Sequence, residues 1–280
     1  ENIFKLHEQY SSSLNSDGRI KIYFGPHAPY TCSIKTLEKI SNAAKSLKTG
    51  VHIHLNETLH EVEEFAVKNG GLPPIEKIVQ TGIFENKTIA AHCVHLSRKE
   101  QEILKKFNVM VAHNPSSNLK LASGIAPIQK YIDKGIAVSI GTDGASSNNQ
   151  LNMVKEMHLT SLIGKVAGEL NPLALSAKTT FDMATKIPGN WLYNGEVGTI
   201  KEGAIADLVF IDVKTPSSTP ALDPISNLVY ASNGTEADTV IINGKCVMKN
   251  KIIKTFDEEL VRKETQKLST QITEKRGYIS

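Results

Sequence analysis

The sequence has few cysteines, and none of them suggests a cross-link or a thiolate metal site. Cys32, Cys93 and Cys246 lie far apart among the 280 residues, and no two of them form a C-x-x-C pair. This spacing argues against a disulfide framework and against a zinc site built from thiolates. We therefore expect a protein of a reducing compartment, located in the cytoplasm.

The sequence also lacks an excess of charge of one sign and a long apolar run. Its 32 basic and 29 acidic residues leave a net charge of +3, which is too balanced for the basic surface of a nucleic-acid-binding protein. No apolar run approaches the roughly 18 residues of a membrane span, and the first residues lack the basic and apolar regions of a signal peptide. We therefore expect no nucleic acid and no membrane as a partner.

What the sequence does contain is an alternation of short β-branched runs with amphipathic segments. Strands are predicted at residues 20–24, 51–55, 88–91, 109–112 and 136–140, and helices at residues 33–47, 57–69, 97–107 and 125–134. This order is typical of βα units around a parallel sheet. After Leu151 the pattern is helical up to Lys186, short strands with turns are predicted from Trp191, and a charged helix follows at residues 257–275.

Polar side chains at the strand ends distinguish between two ways of building this α/β fold. Five parallel strands fit either an open doubly wound sheet or a (β/α)8 barrel. In a barrel the carboxyl ends of the strands meet at one mouth, whereas an open sheet spreads them along an edge, and convergence of polar groups favours the barrel. Each predicted strand carries such a group at or just past its carboxyl end: His27, His54, His92, His113 and Asp143.

An eight-stranded barrel needs three more strands than the sequence predicts, so we expect the C-terminal portion of a TIM-type barrel with a small β appendage. The predicted parts are a partial barrel at residues 1–188, a β segment at 189–254 and a C-terminal helix at 255–280. A partial barrel leaves strand edges unpaired, which favours association. We therefore expect a homo-oligomer.

The chemistry predicted for the strand ends starts from His54. The alternation in residues 51–55 puts His52 and His54 on the same face of their strand, and Glu57 follows three residues after His54. Imidazole suits zinc or iron, and a nearby carboxylate can take a proton from metal-bound water. Asp143 offers a hard oxygen donor and a proton shuttle, although a turn cap explains it as well. For His92 the alternative is a packed core histidine.

Five motifs together resemble the amidohydrolase superfamily, in particular its methylthioadenosine/S-adenosylhomocysteine deaminases and the related chlorohydrolases. The resemblance extends over residues 20–252. The motifs are GPHAPYTCS at 25–33, HLNET at 54–58, AHCVHL at 91–96, HNPSSNLKL at 113–121 and GTDGASSNN at 141–149. The resemblance implies a (β/α)8 barrel, a composite β-sandwich and one divalent metal, expected to be zinc, with iron, manganese or nickel as alternatives.

Carried over residue by residue, the resemblance implies the following roles. His54 and Asp143 match metal ligands, Glu57 matches the acid/base carboxylate, and His92 matches a histidine near the metal-activated water. The catalytic residues are then Glu57, His92 and Asp143. His27, Glu57 and Asp143 contact the substrate, and two asparagines that follow strands, Asn114 and Asn118, are further candidates for substrate contacts.

The implied reaction is hydrolytic deamination of an adenine nucleoside such as methylthioadenosine or S-adenosylhomocysteine. One alternative is a chlorohydrolase, or a deaminase of another heterocycle such as an s-triazine or guanine. The family pattern also opens with an H-x-H pair of metal ligands on the first barrel strand, and no such strand precedes His27 in this sequence. A second alternative is therefore an inactive fragment without that ligand pair.

Overall fold

A computed structural model describes residues 5–7, 9–10, 20–167 and 170–275 of the chain. The outermost residues of the first and third predicted parts, 1–4 and 276–280, lie outside the described residues. None of the helices in the described ranges is long and apolar enough to cross a membrane.

The larger part of the described chain is built around a parallel sheet. Its strands lie in the order β1-β2-β3-β4, and every neighbouring pair is parallel. Along β1 the buried residues alternate with more accessible ones, so that Val51, Ile53 and Leu55 pack into the core while His54 faces the other side. The strands are β1 (Val51–Leu55), β2 (Thr88–His92), β3 (Met110–His113) and β4 (Val138–Ile140).

Helices connect and follow these strands, which confirms the predicted α/β alternation. Ser33 accepts a hydrogen bond from the amide of Thr36 at the start of α1, and Ser97 forms a capping box with Glu100 at the start of α4; serine favours both positions because its oxygen satisfies free helix amides. The helices are α1 (Ile34–Ser46), α2 (Leu59–Lys68), α3 (Pro74–Ile78), α4 (Arg98–Lys106), α5 (Pro115–Lys120), α6 (Ile128–Asp133), α7 (Ala145–Asn148), α8 (Met153–Val166), α9 (Ala177–Ala184) and α10 (Lys186–Tyr193).

A second, antiparallel sheet follows in the chain, with the strand order β5-β6-β7-β8. Helix α11 lies between its first two strands, and the charged helix α12 follows the last one, close to the predicted start of the C-terminal helix. These elements are β5 (Leu208–Ile211), α11 (Pro224–Tyr230), β6 (Ala237–Ile242), β7 (Lys245–Lys249), β8 (Ile252–Ile253) and α12 (Glu258–Lys275).

Two predicted elements are wrong. Residues 20–24 form no strand in the described chain, because Phe24 alone pairs with β1, through a bridge to Val51. Trp191 lies in α10, not in a run of short strands, since Pro188 occupies the first turn of that helix, where its missing amide costs no hydrogen bond. The predicted boundary between residues 188 and 189 therefore falls inside a helix.

Several predicted ends are also shifted inward. The helix predicted from residue 57 begins at Leu59 after the N-cap Thr58, and the helix predicted from residue 125 begins at Ile128. The strand predicted from residue 136 begins at Val138. These shifts leave the strand ends that carry the candidate site residues in place.

Candidate active site

Three side chains that follow different strands meet at one edge of the parallel sheet. His54 lies near the end of β1, His92 ends β2, and Asp143 follows β4. Because the strands are parallel, their carboxyl ends lie at the same edge. One ligand atom from each of the three residues lies within 4.8 Å of the others. Sequence analysis placed His54 and Asp143 together as ligands, and the structure brings His92 into the same cluster.

The His54 ring is oriented by the backbone. Its Nδ1 lies 2.7 Å from the carbonyl oxygen of His27. A carbonyl oxygen only accepts, so Nδ1 carries the proton and donates it, which leaves Nε2 with a free lone pair. The His54 and His92 rings stack at a centroid separation of 5.4 Å. In its neutral form, His54 therefore has Nε2 available as a ligand atom.

The His92 ring is oriented by a side-chain amide. Its Nδ1 lies 2.8 Å from Oδ1 of Asn118, and both side chains are almost completely buried. His92 donates through Nδ1, so its Nε2 is free as a ligand atom, in the same way as in His54. His92 and Cys93 also have left-handed φ angles of 70° and 52°. Such angles are uncommon for residues other than glycine.

Asp143 is held by three hydrogen bonds in a left-handed backbone conformation of φ 59°. Its Oδ2 accepts from Ser117 Oγ at 2.6 Å and from Ser147 Oγ at 2.7 Å, and its Oδ1 accepts from the amide of Gly144 at 2.7 Å. Burial alone would raise the pKa of Asp143, but these three hydrogen bonds, together with the neighbouring His92, outweigh it and hold the pKa below its usual value. Asp143 is therefore ready to act as an anionic ligand.

Glu57 lies beside this cluster without belonging to it. Its Oε2 is 3.7 Å from Nε2 of His92, and its Oε1 accepts a hydrogen bond from Ser123 Oγ at 3.1 Å. Ser123 is itself fixed, because its carbonyl oxygen lies 2.7 Å from Nε2 of His95. A carboxylate at this distance from the ligand atoms can reach a water held among them.

The turn that carries Glu57 is held by the carboxylate of Glu100. Asn56, which is fully buried with a left-handed φ of 50°, donates from Nδ2 to Glu100 Oε1 at 3.0 Å. The same carboxylate accepts from the amides of Ile75 and Ser97 at 3.2 and 2.9 Å. Asparagine tolerates this φ better than most residues. The hydrogen bonds of Asn56 therefore fix the conformation of the turn that places Glu57.

The residues predicted to contact the substrate lie in different environments. His27 is exposed, donates or accepts at Nδ1 with Thr31 Oγ1 at 3.0 Å, and has its ring 5.1 Å from that of His54. Asn114 and Asn118 are buried at 4% and 1% exposure. Nδ2 of Asn118 has no hydrogen-bond partner among the described residues, while its Oδ1 is engaged by His92. The substrate contacts of all three remain predictions.

His113, the remaining histidine at a strand end, stands apart from the cluster. It is 1% exposed, and its Nδ1 has no hydrogen-bond partner within the described ranges. Burial lowers the pKa of His113 to about 3, and His92 adds to the shift. The ring is therefore neutral over the ordinary pH range, as expected for a core histidine.

Sequence analysis missed the residues that hold the site in place. The three serines that donate to Asp143 and Glu57 carry no sequence signal that separates them from surface serines. Two buried carboxylates did leave a signal. The S-x-x-E pattern ending in Glu100 is a capping box, and Glu156 is a charged residue on the inner face of an otherwise packed helix, α8.

The donor set fits a divalent metal ion. Two imidazoles, each with its other nitrogen engaged as a donor, and one carboxylate of lowered pKa are ligands that zinc and neighbouring transition metals accept. Catalytic sites of this kind combine three protein ligands with an open position for water.

Comparison with known proteins identifies the family of this chain. The chain belongs to the amidohydrolase family, whose model, described as "Amidohydrolase family", matches residues 1–247. The family predicted from the five sequence motifs is therefore confirmed.

The similar proteins are named as deaminases of adenosine derivatives, which is narrower than the family. A 5-methylthioadenosine/S-adenosylhomocysteine deaminase of Caldanaerobacter subterraneus subsp. tengcongensis is 46% identical over 266 residues, which are 95% of this chain and 60% of the relative. A 5'-deoxyadenosine deaminase of Methanococcus maripaludis is 45% identical over 247 residues, 88% of this chain and 58% of the relative. The chain thus spans 60% of the length of the first of these relatives.

A solved structure is similar in fold over almost the whole chain. The adenosine deaminase of Xanthomonas campestris with bound zinc has a TM-score of 0.90 and 31% sequence identity, over 96% of this chain and 60% of that one.

Proposed function

We propose that this protein catalyses the metal-dependent hydrolytic deamination of an adenine nucleoside altered at its 5' position, such as methylthioadenosine or S-adenosylhomocysteine. The observation that carries the proposal is the meeting of His54, His92 and Asp143 within 4.8 Å, with Glu57 3.7 Å from His92. The names of the similar proteins support the adenine nucleoside as substrate, because two of them act on adenosines that differ at that position.

His54, His92 and Asp143 would hold one divalent ion, zinc in the first instance. When bound, such an ion supplies the Lewis acidity that makes water a nucleophile near neutral pH. Glu57 takes a proton from the attacking water as the oxygen bonds to C6 of the adenine ring. It then gives that proton to ring N1, so Glu57 acts first as a base and then as an acid. The remaining proton of the new hydroxyl group moves to the exocyclic amine, the bond between C6 and that nitrogen breaks, and ammonia leaves while C6 becomes a carbonyl.

The other side chains bind and orient. Ser123 holds the Glu57 carboxylate, and the serine hydroxyls on Asp143 keep that residue anionic. His27, exposed beside His54, contacts the substrate at the open edge. Asn114 and the Nδ2 atom of Asn118 are further candidates for substrate contacts.

We also propose that the parallel sheet belongs to a (β/α)8 barrel, with the antiparallel sheet as part of a composite β-sandwich. The alternation of β1–β4 with helices and the TM-score of 0.90 to a deaminase support this architecture. The division into a partial barrel, a β segment and a C-terminal helix belongs to the same proposal, with the first boundary moved from residues 188 and 189 to the end of α10 at Tyr193. The homo-oligomer and the cytoplasmic location belong to it as well.

The experiment is a product assay with the purified protein. The protein is loaded in turn with zinc, iron, manganese or nickel and incubated with methylthioadenosine, S-adenosylhomocysteine, 5'-deoxyadenosine, guanine and a chloro-s-triazine, while released ammonia and chloride are measured. Glu57→Gln serves as the matched control, because it keeps the size of the side chain but cannot accept the proton.

The proposal expects ammonia from the adenine nucleosides with the wild-type protein and not with Glu57→Gln. Chloride from the triazine without ammonia from the nucleosides would favour the chlorohydrolase, and ammonia from guanine alone would favour a guanine deaminase. If neither ammonia nor chloride is released with any of the metals, the proposed activity of this chain is contradicted.

A further inference from the structure

Glu156 is a buried carboxylate that takes no part in the proposed reaction. It lies in the first turn of α8 and has no exposed surface. Its Oε2 accepts from the amide of Ser116 at 3.0 Å, and its Oε1 accepts from Ser116 Oγ at 2.5 Å and from Asn148 Nδ2 at 2.9 Å. A charged group without solvent is retained only where such donors compensate its burial.

The first of these bonds fixes the start of α5. The Asn114 side chain makes no cap hydrogen bond to α5 in the described chain, and the carboxylate of Glu156 takes that place at Ser116. The two residues directly after Ser116 are the ones that contact the cluster. Ser117 donates to Asp143 at 2.6 Å, and Asn118 accepts from His92 at 2.8 Å.

The second bond fixes the turn around Asp143. Asn148 Nδ2 donates to Glu156 and also to the carbonyl oxygen of Thr142, at 2.8 Å. Thr142 directly precedes Asp143, and Ser147, which directly precedes Asn148, donates to Asp143 at 2.7 Å. One carboxylate thus connects the helix that orients His92 with the turn that presents Asp143.

We propose that Glu156 is a positioning residue that sets the relative placement of His92 and Asp143, and hence the affinity of the cluster for its ion. This inference rests on the proposed function, because it takes the three side chains as ligands. A glutamine at position 156 keeps the volume but turns one oxygen into a donor. The new NH₂ group therefore faces another donor, either the amide of Ser116 or Nδ2 of Asn148, and one of the two hydrogen bonds is lost.

The test measures binding of Co²⁺ to the full chain, with the absorption spectrum of the bound ion as a report on ligand geometry. Glu156→Gln is compared with wild type and with Ser161→Ala. Ser161 is the control, because it is a fully buried polar residue of the same helix whose hydroxyl bonds to the carbonyl oxygen of Leu175 and to the hydroxyl of Tyr230, neither of which belongs to the cluster.

We expect Glu156→Gln to weaken Co²⁺ binding about 10- to 100-fold, the usual effect of losing a group that orients metal ligands, and to change the spectrum. Ser161→Ala should bind Co²⁺ as wild type does, even though it also loses buried hydrogen bonds of α8. Wild-type affinity and spectrum in Glu156→Gln, or the same loss in Ser161→Ala, would overturn the inference. If Glu156→Gln does not fold, Asn148→Ala removes the connection between Glu156 and the turn around Asp143 and should weaken binding in the same direction, and unchanged binding in that variant would also overturn the inference.

A measurement on the metal-free protein separates this inference from the proposed function. The Nδ1 proton of His92, held by Asn118, should give an NMR resonance protected from solvent exchange in wild type, and Glu156→Gln should lose that protection. A wild-type protein that binds no Co²⁺ contradicts the metal site alone, and the resonance then decides the role of Glu156. Protection retained in Glu156→Gln would overturn it.

Discussion

The ring of His92 and the amide of Asn118 are joined by a hydrogen bond of 2.8 Å between two almost completely buried side chains. The bond leaves Nε2 of His92 as the free nitrogen, and that nitrogen lies 3.7 Å from Oε2 of Glu57. Asn118 therefore acts on the cluster through His92, while its predicted contact with the substrate would have to be made by Nδ2 alone.

Asn118→Ala should lower the affinity for the divalent ion about 10- to 100-fold, because the His92 ring loses the acceptor that fixes it. Equilibrium dialysis against zinc measures this. Asn114→Ala is the control, since Asn114 is also buried but has no bond to a cluster residue among those described, and it should keep the metal while raising KM if it contacts the substrate. Metal loss in Asn114→Ala alone would reverse the two roles.

His54→Ala and Asp143→Ala should each lower the amount of metal bound per chain, because each removes one donor atom from the cluster. Elemental analysis after dialysis measures the stoichiometry. His60→Ala provides the comparison, because that histidine is exposed in α2. Stoichiometric metal in both cluster variants would show that the ion, if bound, lies elsewhere.

Glu57→Gln should lower kcat about 100- to 10,000-fold, the usual contribution of a positioned general acid or base, with metal content near wild type. Ser123→Ala should lower kcat less, by about tenfold, because the carboxylate remains but loses a hydrogen bond worth about 1.4 kcal/mol. Steady-state kinetics with an adenine nucleoside give both values. Loss of metal along with activity in Glu57→Gln would make Glu57 a ligand instead.

His113 should make the protein sensitive to acid. Its folded pKa is depressed to about 3, while an imidazole in the unfolded chain titrates near 6.5. As the pH falls, the unfolded chain therefore binds the extra proton first, and the free energy of unfolding should drop by about 1.4 kcal/mol per pH unit from this group between roughly pH 6 and 4.

Urea unfolding of wild type and His113→Gln across that range measures the effect. The variant does not titrate there, so its free energy of unfolding should depend less steeply on pH, even though its stability near neutral pH is lower. Equal slopes for the two proteins would mean that His113 becomes protonated without unfolding.

The three thiols should differ in reactivity. Cys246 is exposed, Cys32 is half-buried and Cys93 is completely buried, and burial raises the pKa of the Cys93 thiol. Because the thiolate is the reactive form, iodoacetamide should label Cys246 first and leave Cys93 unmodified in the native protein. Peptide mass spectrometry identifies the labelled residue, and labelling in urea provides the reference in which all three react.

The sequence predicted the strand ends better than the first strand. A period of two in residues 51–55 identifies the buried face of β1, because apolar and polar side chains alternate in the sequence as buried and accessible residues alternate along a strand. Residues 20–24 have the same β-branched character, yet only Phe24 pairs with β1. Strand propensity does not say whether a neighbouring strand is present along the whole segment.

The candidate site was predictable in part in its donors and not in its supports. Sequence analysis gave His54 and Asp143 as ligands and placed His92 near the water, and the structure brings all three together. The contacts of Ser117 and Ser123 depend on which loops meet in space, which no local pattern encodes. Glu156 could have been singled out as a charge on the inner face of a helix, although its partners could not.

The left-handed backbone conformation of His92 and Asp143 lowers the stability of the fold at two residues that the proposed function needs. Each non-glycine residue in this conformation costs about 1 to 2 kcal/mol relative to the right-handed form, and His92 and Asp143, which both adopt it, are donors of the cluster. Glycine would relieve the strain at either position and would remove the donor as well. Selection for stability alone would therefore favour glycine at these positions and remove the donors of the site, whereas selection for activity keeps His92 and Asp143.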